Sequence, residues 1–210
     1  MFTGIVTDVG RLLRIENGAE GRRLRIATAY AADSIELGAS IACEGICLTV
    51  TAKGSDDGSN WFEVFAGRET LAVTRMGEWR EGRRINLERS LRIGDELGGH
   101  LVSGHIDGLA HLVEKTSFGD QLSLKFEVPP ELSKFIARKG SVALNGTSLT
   151  VNEVEGDNFT VHLIPHTVAV TTWADYGVGD AVNIEVDQMA RYAARLAEKG
   201  GSAKPPDTKD

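Results

Sequence analysis

Apolar and polar positions alternate with a period of two through most of the chain, which is the mark of half-buried strands. In the first half, Leu24-Arg25-Ile26, Ser40-Ile41-Ala42-Cys43, Cys47-Leu48-Thr49-Val50 and Phe62-Glu63-Val64-Phe65 alternate or are β-branched. Leu122 to Val128, Ser141 to Leu144, Ser148 to Val154 and Phe159 to Ile164 do the same in the second half. Turns rich in Gly, Asn and Asp separate them, among them Asn145-Gly146 and Glu155-Gly156-Asp157-Asn158. Pro129 to Ile136 reads as one or two helical turns opened by proline. Only the end of the chain carries a long helical pattern. From Asp187, a candidate N-cap, Met189, Ala193, Leu196 and Ala197 fall on one stripe, and Gly200-Gly201 stops it. One apolar stripe after the strands are complete calls for a partner surface. Ser202 to Asp210 is charged and contains proline, and is expected to be disordered.

The strand pattern is written twice. Thr3-Gly4 recurs as Ser103-Gly104, and Ser40-Ile41-Ala42 as Ser141-Val142-Ala143. Gly45-x-Cys47-Leu48-Thr49-Val50 recurs as Gly146-x-Ser148-Leu149-Thr150-Val151. Further on, Thr70-x-Ala72-Val73-Thr74 returns as Thr167-x-Ala169-Val170-Thr171, and Asn86-x-Glu88 as Asn183-x-Glu185. The spacing shortens after Asp56-Asp57-Gly58, so the first copy holds its extra residues in a polar loop, where insertions are tolerated. A solenoid needs shorter periods and more copies. Two tandem domains of about six strands each, closed into small β-barrels, fit the pattern. The expected boundaries are 1–100 and 101–186 for the barrels, 187–199 for a terminal helix and 200–210 for the tail.

Composition narrows the classes. Hydrophobic residues make up 41% and charged residues 25% of the chain, ordinary values for a folded protein. The net charge of −7 argues against nucleic acid as the main partner, because phosphate contacts need a basic surface. No membrane span is visible, and the start Met1 to Asp8 lacks the basic, then apolar, pattern of a signal peptide. Cys43 and Cys47 are too few for a disulfide framework. Lying four apart in one strand-like run, they are expected to face the same side as reduced thiols of a cytoplasmic protein.

Familiar catalytic signatures are missing: no zinc spacing of Cys and His, no Walker loop, no Gly-x-Gly-x-x-Gly and no Gly-x-Ser-x-Gly. A doubled constellation remains. Gly4-Ile5-Val6 matches Gly104-His105-Ile106, Cys47-Leu48-Thr49 matches Ser148-Leu149-Thr150, and Phe65-Ala66-Gly67-Arg68-Glu69-Thr70 matches His162-Leu163-Ile164-Pro165-His166-Thr167. Cys47 and Thr49, like Ser148 and Thr150, share a strand face and present two small polar groups together. Such a face suits a polar ligand lying against the sheet. Leu48 and Leu149 read as core. A lone histidine is usually a surface or core residue, and on pattern alone that reading stands for His100, His105 and His111.

The ordered set of motifs resembles the riboflavin synthase α-chain family. The resemblance rests on Met1-Phe2-Thr3-Gly4-Ile5-Val6, Gly45-x-Cys47-Leu48-Thr49-Val50, Glu69-Thr70-Leu71 and Gly98-Gly99-His100-Leu101-Val102-Ser103-Gly104-His105-Ile106. It continues through Gly146-x-Ser148-Leu149-Thr150-Val151, Leu163-Ile164-Pro165-His166-Thr167 and Asn183-Ile184-Glu185-Val186-Asp187. It implies an all-β chain of two six-stranded Greek-key barrels with a C-terminal helix that builds a homotrimer. It also implies a reaction: two molecules of 6,7-dimethyl-8-ribityllumazine exchange a four-carbon unit, giving riboflavin and 5-amino-6-ribitylaminouracil, without metal or separate cofactor. By the same resemblance, the pocket forms between the first barrel of one subunit and the second barrel of its neighbour. Docking onto a lumazine synthase shell, and which barrel holds donor or acceptor, stay open at this point.

Carried over by that resemblance, the matched segments, with Lys139, are expected to bind substrate. His105, Ser148, Thr150 and Asp187 are expected to act in the second barrel, with Cys47 and Ser40 supplied by the first. His105 is the acid–base candidate by type. Ser148, Thr150 and His105 are expected to act as one polar group around the reacting rings, the first-copy twin Gly4-Ile5-Val6 having no ionisable group. The copies differ at Ile5 and His105, Gly38 and Lys139, Cys47 and Ser148, Glu69 and His166, and Ser90 and Asp187. A non-catalytic lumazine- or flavin-binding antenna on the same double barrel is the alternative, as is a reductase flavin domain, which would need an α/β domain where the second barrel stands.

Overall fold

Short alternating strands bury one face each, and a closed ring of six leaves no unpaired edge. The computed structural model describes residues 1–200. The first barrel is built from β1 (Asp8–Gly18), β2 (Gly21–Thr28), β3 (Ser40–Cys43), β4 (Ile46–Asp56), β5 (Ser59–Gly67) and β6 (Arg84–Arg89). The second uses β7 (Gly108–Phe118), β8 (Gln121–Glu127), β9 (Ser141–Leu144), β10 (Thr147–Glu155), β11 (Asn158–Leu163) and β12 (Ala181–Val186). All ladders are antiparallel. The first ring closes in the order β1-β2-β5-β4-β3-β6, and the second repeats that cyclic order. Pairing of β2 with β5 and of β3 with β6 makes each a Greek key. Short helices α1 (Arg68–Val73), α2 (Pro130–Ser133) and α3 (Pro165–Val170) lie between strands, and α4 (Gln188–Gly200) follows the second barrel. The 200–210 tail lies outside the described residues except for Gly200, which closes α4.

Every expected strand lies on an observed one; β1, β6, β7 and β12 go unread in the pattern, with β1 and β7 the least legible. Each carries a bulge, between Leu12 and Arg14 in β1 and between Leu112 and Glu114 in β7, which breaks the two-residue period. Inward side chains fill each ring. Leu12, Leu24, Ile26, Phe62, Val64 and Leu87 pack the first barrel. In the second, Phe126 stacks on Phe159 at 5.7 Å and meets Trp173 edge-on at 5.9 Å.

The cysteines do not share a strand. Glu44 and Gly45 both take positive φ (49° and 81°) and form a two-residue turn that ends β3 at Cys43 and starts β4 at Ile46. Cys43 therefore points into the first core, where burial pushes its thiol above the ordinary range. Cys47 faces the other way, half-buried against Phe2, Ala42, Val102 and Ala143 between the barrels. Sequence alone misses the turn because Glu is a poor turn residue at positive φ; its counterpart Asn145 (φ 44°) is a good one.

The barrels face each other through a near-symmetric clasp. Phe2 N–H donates to Val102 O at 2.7 Å, and Val102 N–H returns the bond at 3.0 Å. Asn86 Nδ2 donates to Asn145 O at 3.1 Å, and Asn183 Nδ2 donates to Glu44 O at 3.0 Å. Their side-chain carbonyls accept from Thr172 N–H (2.8 Å) and Arg75 N–H (3.0 Å). One charge breaks the symmetry. The buried Glu44 carboxylate accepts from Asn86 N–H, Thr172 Oγ1 and Tyr176 Oη, with Arg83 at 3.8 Å. Burial still outweighs these partners and raises its pKa above the ordinary carboxylate range.

Helix α4 starts as read: Asp187 Oδ1 accepts from Met189 N–H at 2.8 Å. An ion pair between Arg191 and Asp107 at 2.6 Å ties its first turns to the second barrel. Met189, Tyr192 and Leu196 remain 74%, 65% and 72% exposed.

The Glu44 shift fixes the sign of a pH dependence. A carboxyl whose pKa is higher folded than unfolded stabilises the fold most when protonated, so stability falls as pH rises through the folded pKa. Urea unfolding from about pH 4 to pH 7 should show wild type losing stability relative to Glu44→Gln. A constant difference across that range would refute the assignment.

Candidate active site

Each barrel opens on one side where two neighbouring strands part. β4 and β5 are paired from their hairpin back to Val50 and Val64, and β10 and β11 back to Val151 and Val161. Beyond those pairs, among the described residues, no ladder joins Ile46–Thr49 to Phe65–Gly67, or Thr147–Thr150 to His162–Leu163. Backbone groups along parted strands need other partners. The opposite copy supplies one in each case. Cys47 N–H donates to Gly104 O at 2.9 Å, and Ser148 N–H donates to Gly4 O at 2.7 Å.

This contact requires glycine. Gly4 and Gly104 have φ of 75° and 80°. A Cβ on Gly4 would lie 2.6 Å from Ser148 Cβ, and one on Gly104 would lie 2.5 Å from Cys47 Cβ. Two buried carboxylates hold the segments from the other side. Glu88 accepts from Thr3 N–H and Thr3 Oγ1, both at 2.7 Å, and from Gly4 N–H at 2.9 Å. Glu185 accepts from Ser103 N–H (2.7 Å), Ser103 Oγ (2.6 Å), Gly104 N–H (2.8 Å) and His105 N–H (3.1 Å). Burial raises the pKa of Glu88 above the ordinary range, and its bonds to Thr3 and Gly4 pull it back. The signal for this clamp was present in the repeat of Asn86-x-Glu88 as Asn183-x-Glu185, a carboxylate in mid-strand that no core would accept unpaired.

His105 is therefore not grouped with Ser148 and Thr150 in one chain, because the glycine segments cross between the copies. Within one chain, Gly104-His105-Ile106 runs beside Cys47, and Ile106 packs on the first barrel's core. Gly4-Ile5-Val6 runs beside Ser148 of the second barrel. Sequence repetition cannot reveal the crossing, because either pairing satisfies the same motifs.

On the first outer face, Cys47 and Thr49 lie on β4, with Ser40 directly across from Thr49. On the second, Ser148 and Thr150 lie on β10 with Ser141 across from Thr150. Ser141 was missed, although the repeat held it opposite Ser40. Leu48, Ala66, Leu149 and Leu163 point into the cores, so they can offer a ligand only their backbone. Phe65 and Ile164 are exposed at the rims, as is the His162 side chain. Past Gly67, Arg68, Glu69 and Thr70 form the first turn of α1, while Pro165, His166 and Thr167 form that of α3. Arg68 is turned away toward the β1–β2 hairpin, donating to Ala19 O and Glu20. Ile5 and His105 are exposed, and Val6 is half-buried. Lys139 holds φ at 66° where its counterpart Gly38 has 84°, so a side chain occupies a turn shaped for glycine. His100, a residue set aside on pattern alone, approaches Ser148 Oγ with Nδ1 at 2.7 Å.

The lumazine binding domain family matches this chain twice, over residues 3–90 and 103–187. The chain belongs to the lumazine-binding family. It is 57% identical over 201 residues to a riboflavin synthase of Brucella abortus (strain 2308), covering 94% of this chain and 98% of the relative. Riboflavin synthases of Photobacterium phosphoreum and Bacillus subtilis (strain 168) are 39% and 34% identical, over 93% and 97% of this chain and 88% and 93% of theirs. Among solved structures, LumP complexed with riboflavin superposes with a TM-score of 0.76 at 25% identity, covering 89% of this chain and 99% of that one. In this lumazine-binding chain, both copies of the family domain keep a small polar face, which fits the doubled match.

The crossing predicts unequal costs for equal-looking glycines. Gly4→Ala meets both positive φ and the Ser148 backbone, whereas Gly38→Ala meets positive φ in open space. Positive φ alone should cost about 1–2 kcal/mol, and the clash adds about 1–3 kcal/mol at Gly4. Urea unfolding of the two variants measures the gap, and equal losses would contradict the packing of Gly4 on Ser148.

Proposed function

We propose that this protein is a riboflavin synthase. Two molecules of 6,7-dimethyl-8-ribityllumazine bind, one gives a four-carbon unit to the other, and riboflavin and 5-amino-6-ribitylaminouracil leave. The observation that carries this reading is a complete polar face on each barrel: Ser40, Cys47 and Thr49 on one, Ser141, Ser148 and Thr150 on the other. A reaction between two copies of one molecule needs two similar seats. Ring carbonyls and ribityl hydroxyls can bond these hydroxyls and the parted strand ends. Holding two reactants in register can supply ~7–11 kcal/mol of the barrier.

The reaction centre is assigned to two subunits. Within one chain His105 lies beside the first face, whereas Thr150 lies on the second with Ser148 and His100, and Asp187 is near enough to act on the His100 imidazole. Pairing the first barrel of one subunit with the second of its neighbour brings His105, Cys47 and Ser40 toward Ser148, Thr150, Asp187 and Lys139. In that pairing His105 is the acid–base candidate by residue type. The exposed Met189, Tyr192 and Leu196 of α4 support a homotrimer joined through that helix. The free thiols Cys43 and Cys47 support a reducing compartment, the cytoplasm. Among the described residues no helix is long and apolar enough to cross a membrane. Likeness to LumP complexed with riboflavin favours a second reading, a chromophore carrier without turnover. The polar faces on both barrels favour the enzyme.

Purified protein incubated with 6,7-dimethyl-8-ribityllumazine should release riboflavin, followed by its absorbance. Binding without conversion would instead support the carrier. Titration with a non-reactive lumazine analogue should need two terms, since the two faces differ at Cys47 and Ser148; one site per chain would contradict the doubled seat. A chain ending at Asp187 should run as a smaller species in light scattering with its barrels folded, and lose turnover. A truncated trimer would refute the role of α4.

A further inference from the structure

Among the described residues, the only side-chain hydrogen bond made by a histidine joins His100 Nδ1 to Ser148 Oγ at 2.7 Å. The backbone sets up this contact. His100 N–H donates to Thr3 O at 3.1 Å, so the 98–100 segment lies against the N-terminal segment that also meets Ser148. Gly99 permits the approach: a Cβ there would lie 2.1 Å from Thr3 O and 2.8 Å from Ser148 Cβ. The other ring nitrogen, Nε2, is buried and has no partner among the described residues. Burial lowers the His100 pKa below the ordinary imidazole range, while the Asp187 carboxylate pulls the other way. At neutral pH the ring is therefore neutral, able to bond a hydroxyl without carrying a buried charge. Cys47 is the first-copy counterpart of Ser148, and no histidine side chain bonds it among the described residues, so the arrangement belongs to one face alone.

We infer that His100 is a positioning residue of the second barrel, fixing the Ser148 hydroxyl in one orientation toward the ligand on the Ser148–Thr150 face. Unbonded, a serine hydroxyl distributes among three rotamers and many proton directions. Fixed, it meets the same ligand atom at every turnover. This rests on the riboflavin synthase reading, and its expected cost is that of one ordinary hydrogen bond. His100→Ala should lower kcat about tenfold with KM within about twofold, because the bond serves orientation rather than uniform binding. His100→Asn places an amide nitrogen or oxygen near the Nδ1 position and should restore most of kcat. Full turnover in His100→Ala, a rise in KM alone, or His100→Asn no faster than His100→Ala would each overturn the proposal. A second measurement needs no turnover. In protein labelled with ¹⁵N-histidine, Ser148→Ala should shift the Nδ1 resonance of His100, and an unmoved resonance would overturn the bond itself. Wild-type protein that makes no riboflavin would instead sink the riboflavin synthase reading, while the resonance still decides whether His100 holds Ser148.

Discussion

Two main-chain hydrogen bonds, Ser148 to Gly4 and Cys47 to Gly104, are the constraint on which the rest of this molecule depends. Each fills a gap that a single barrel leaves where its strands part. Without the crossing, the N–H groups of Cys47 and Ser148 would lose these partners. The barrels are consequently not independent beads on a string. Each supplies a main-chain partner to the other's parted strand, and Phe2, Val102, Ala42 and Ala143 seal the seam between them. The carboxylates Glu88 and Glu185 hold the crossing segments by their backbone N–H groups, so side-chain identity at Ile5 and His105 is left free for chemistry.

Near-symmetry with local exceptions is the second theme. The scaffold positions match: Asn86 with Asn183, Gly45 with Gly146, Glu88 with Glu185, Gly4 with Gly104. Exceptions fall on the site and the clasp. Cys47 corresponds to Ser148, Ile5 to His105, Gly38 to Lys139, and Glu44 to Asn145. Lys139 accepts a left-handed backbone that glycine takes without strain, a cost of about 1–2 kcal/mol. Glu44 keeps a carboxylate where a neutral amide already suffices on the other side. Both are departures from the cheapest local choice, which natural chains show mostly where function or assembly requires them.

Alternation and internal repetition, both local properties, were enough to read two barrels, most of their strands and the small polar residues on β4 and β10. Burial of one strand face determines the period, and duplication makes any feature that appears twice stand out. The capped start of α4 was equally legible, because Asp187 bonds a backbone group two residues on. Tertiary structure alone decided which copy's glycine segment meets which strand, since a backbone-to-backbone bond leaves no side-chain pattern and both pairings fit the same motifs. It also decided that Cys43 and Cys47 flank a turn, where Glu44 takes positive φ while its carboxylate is held by Asn86, Thr172 and Tyr176 from distant parts of the chain. The contact of His100 with Ser148 is of the same kind: it exists because the fold brings residues 3, 99 and 148 within contact distance, and no spacing along the chain encodes that proximity.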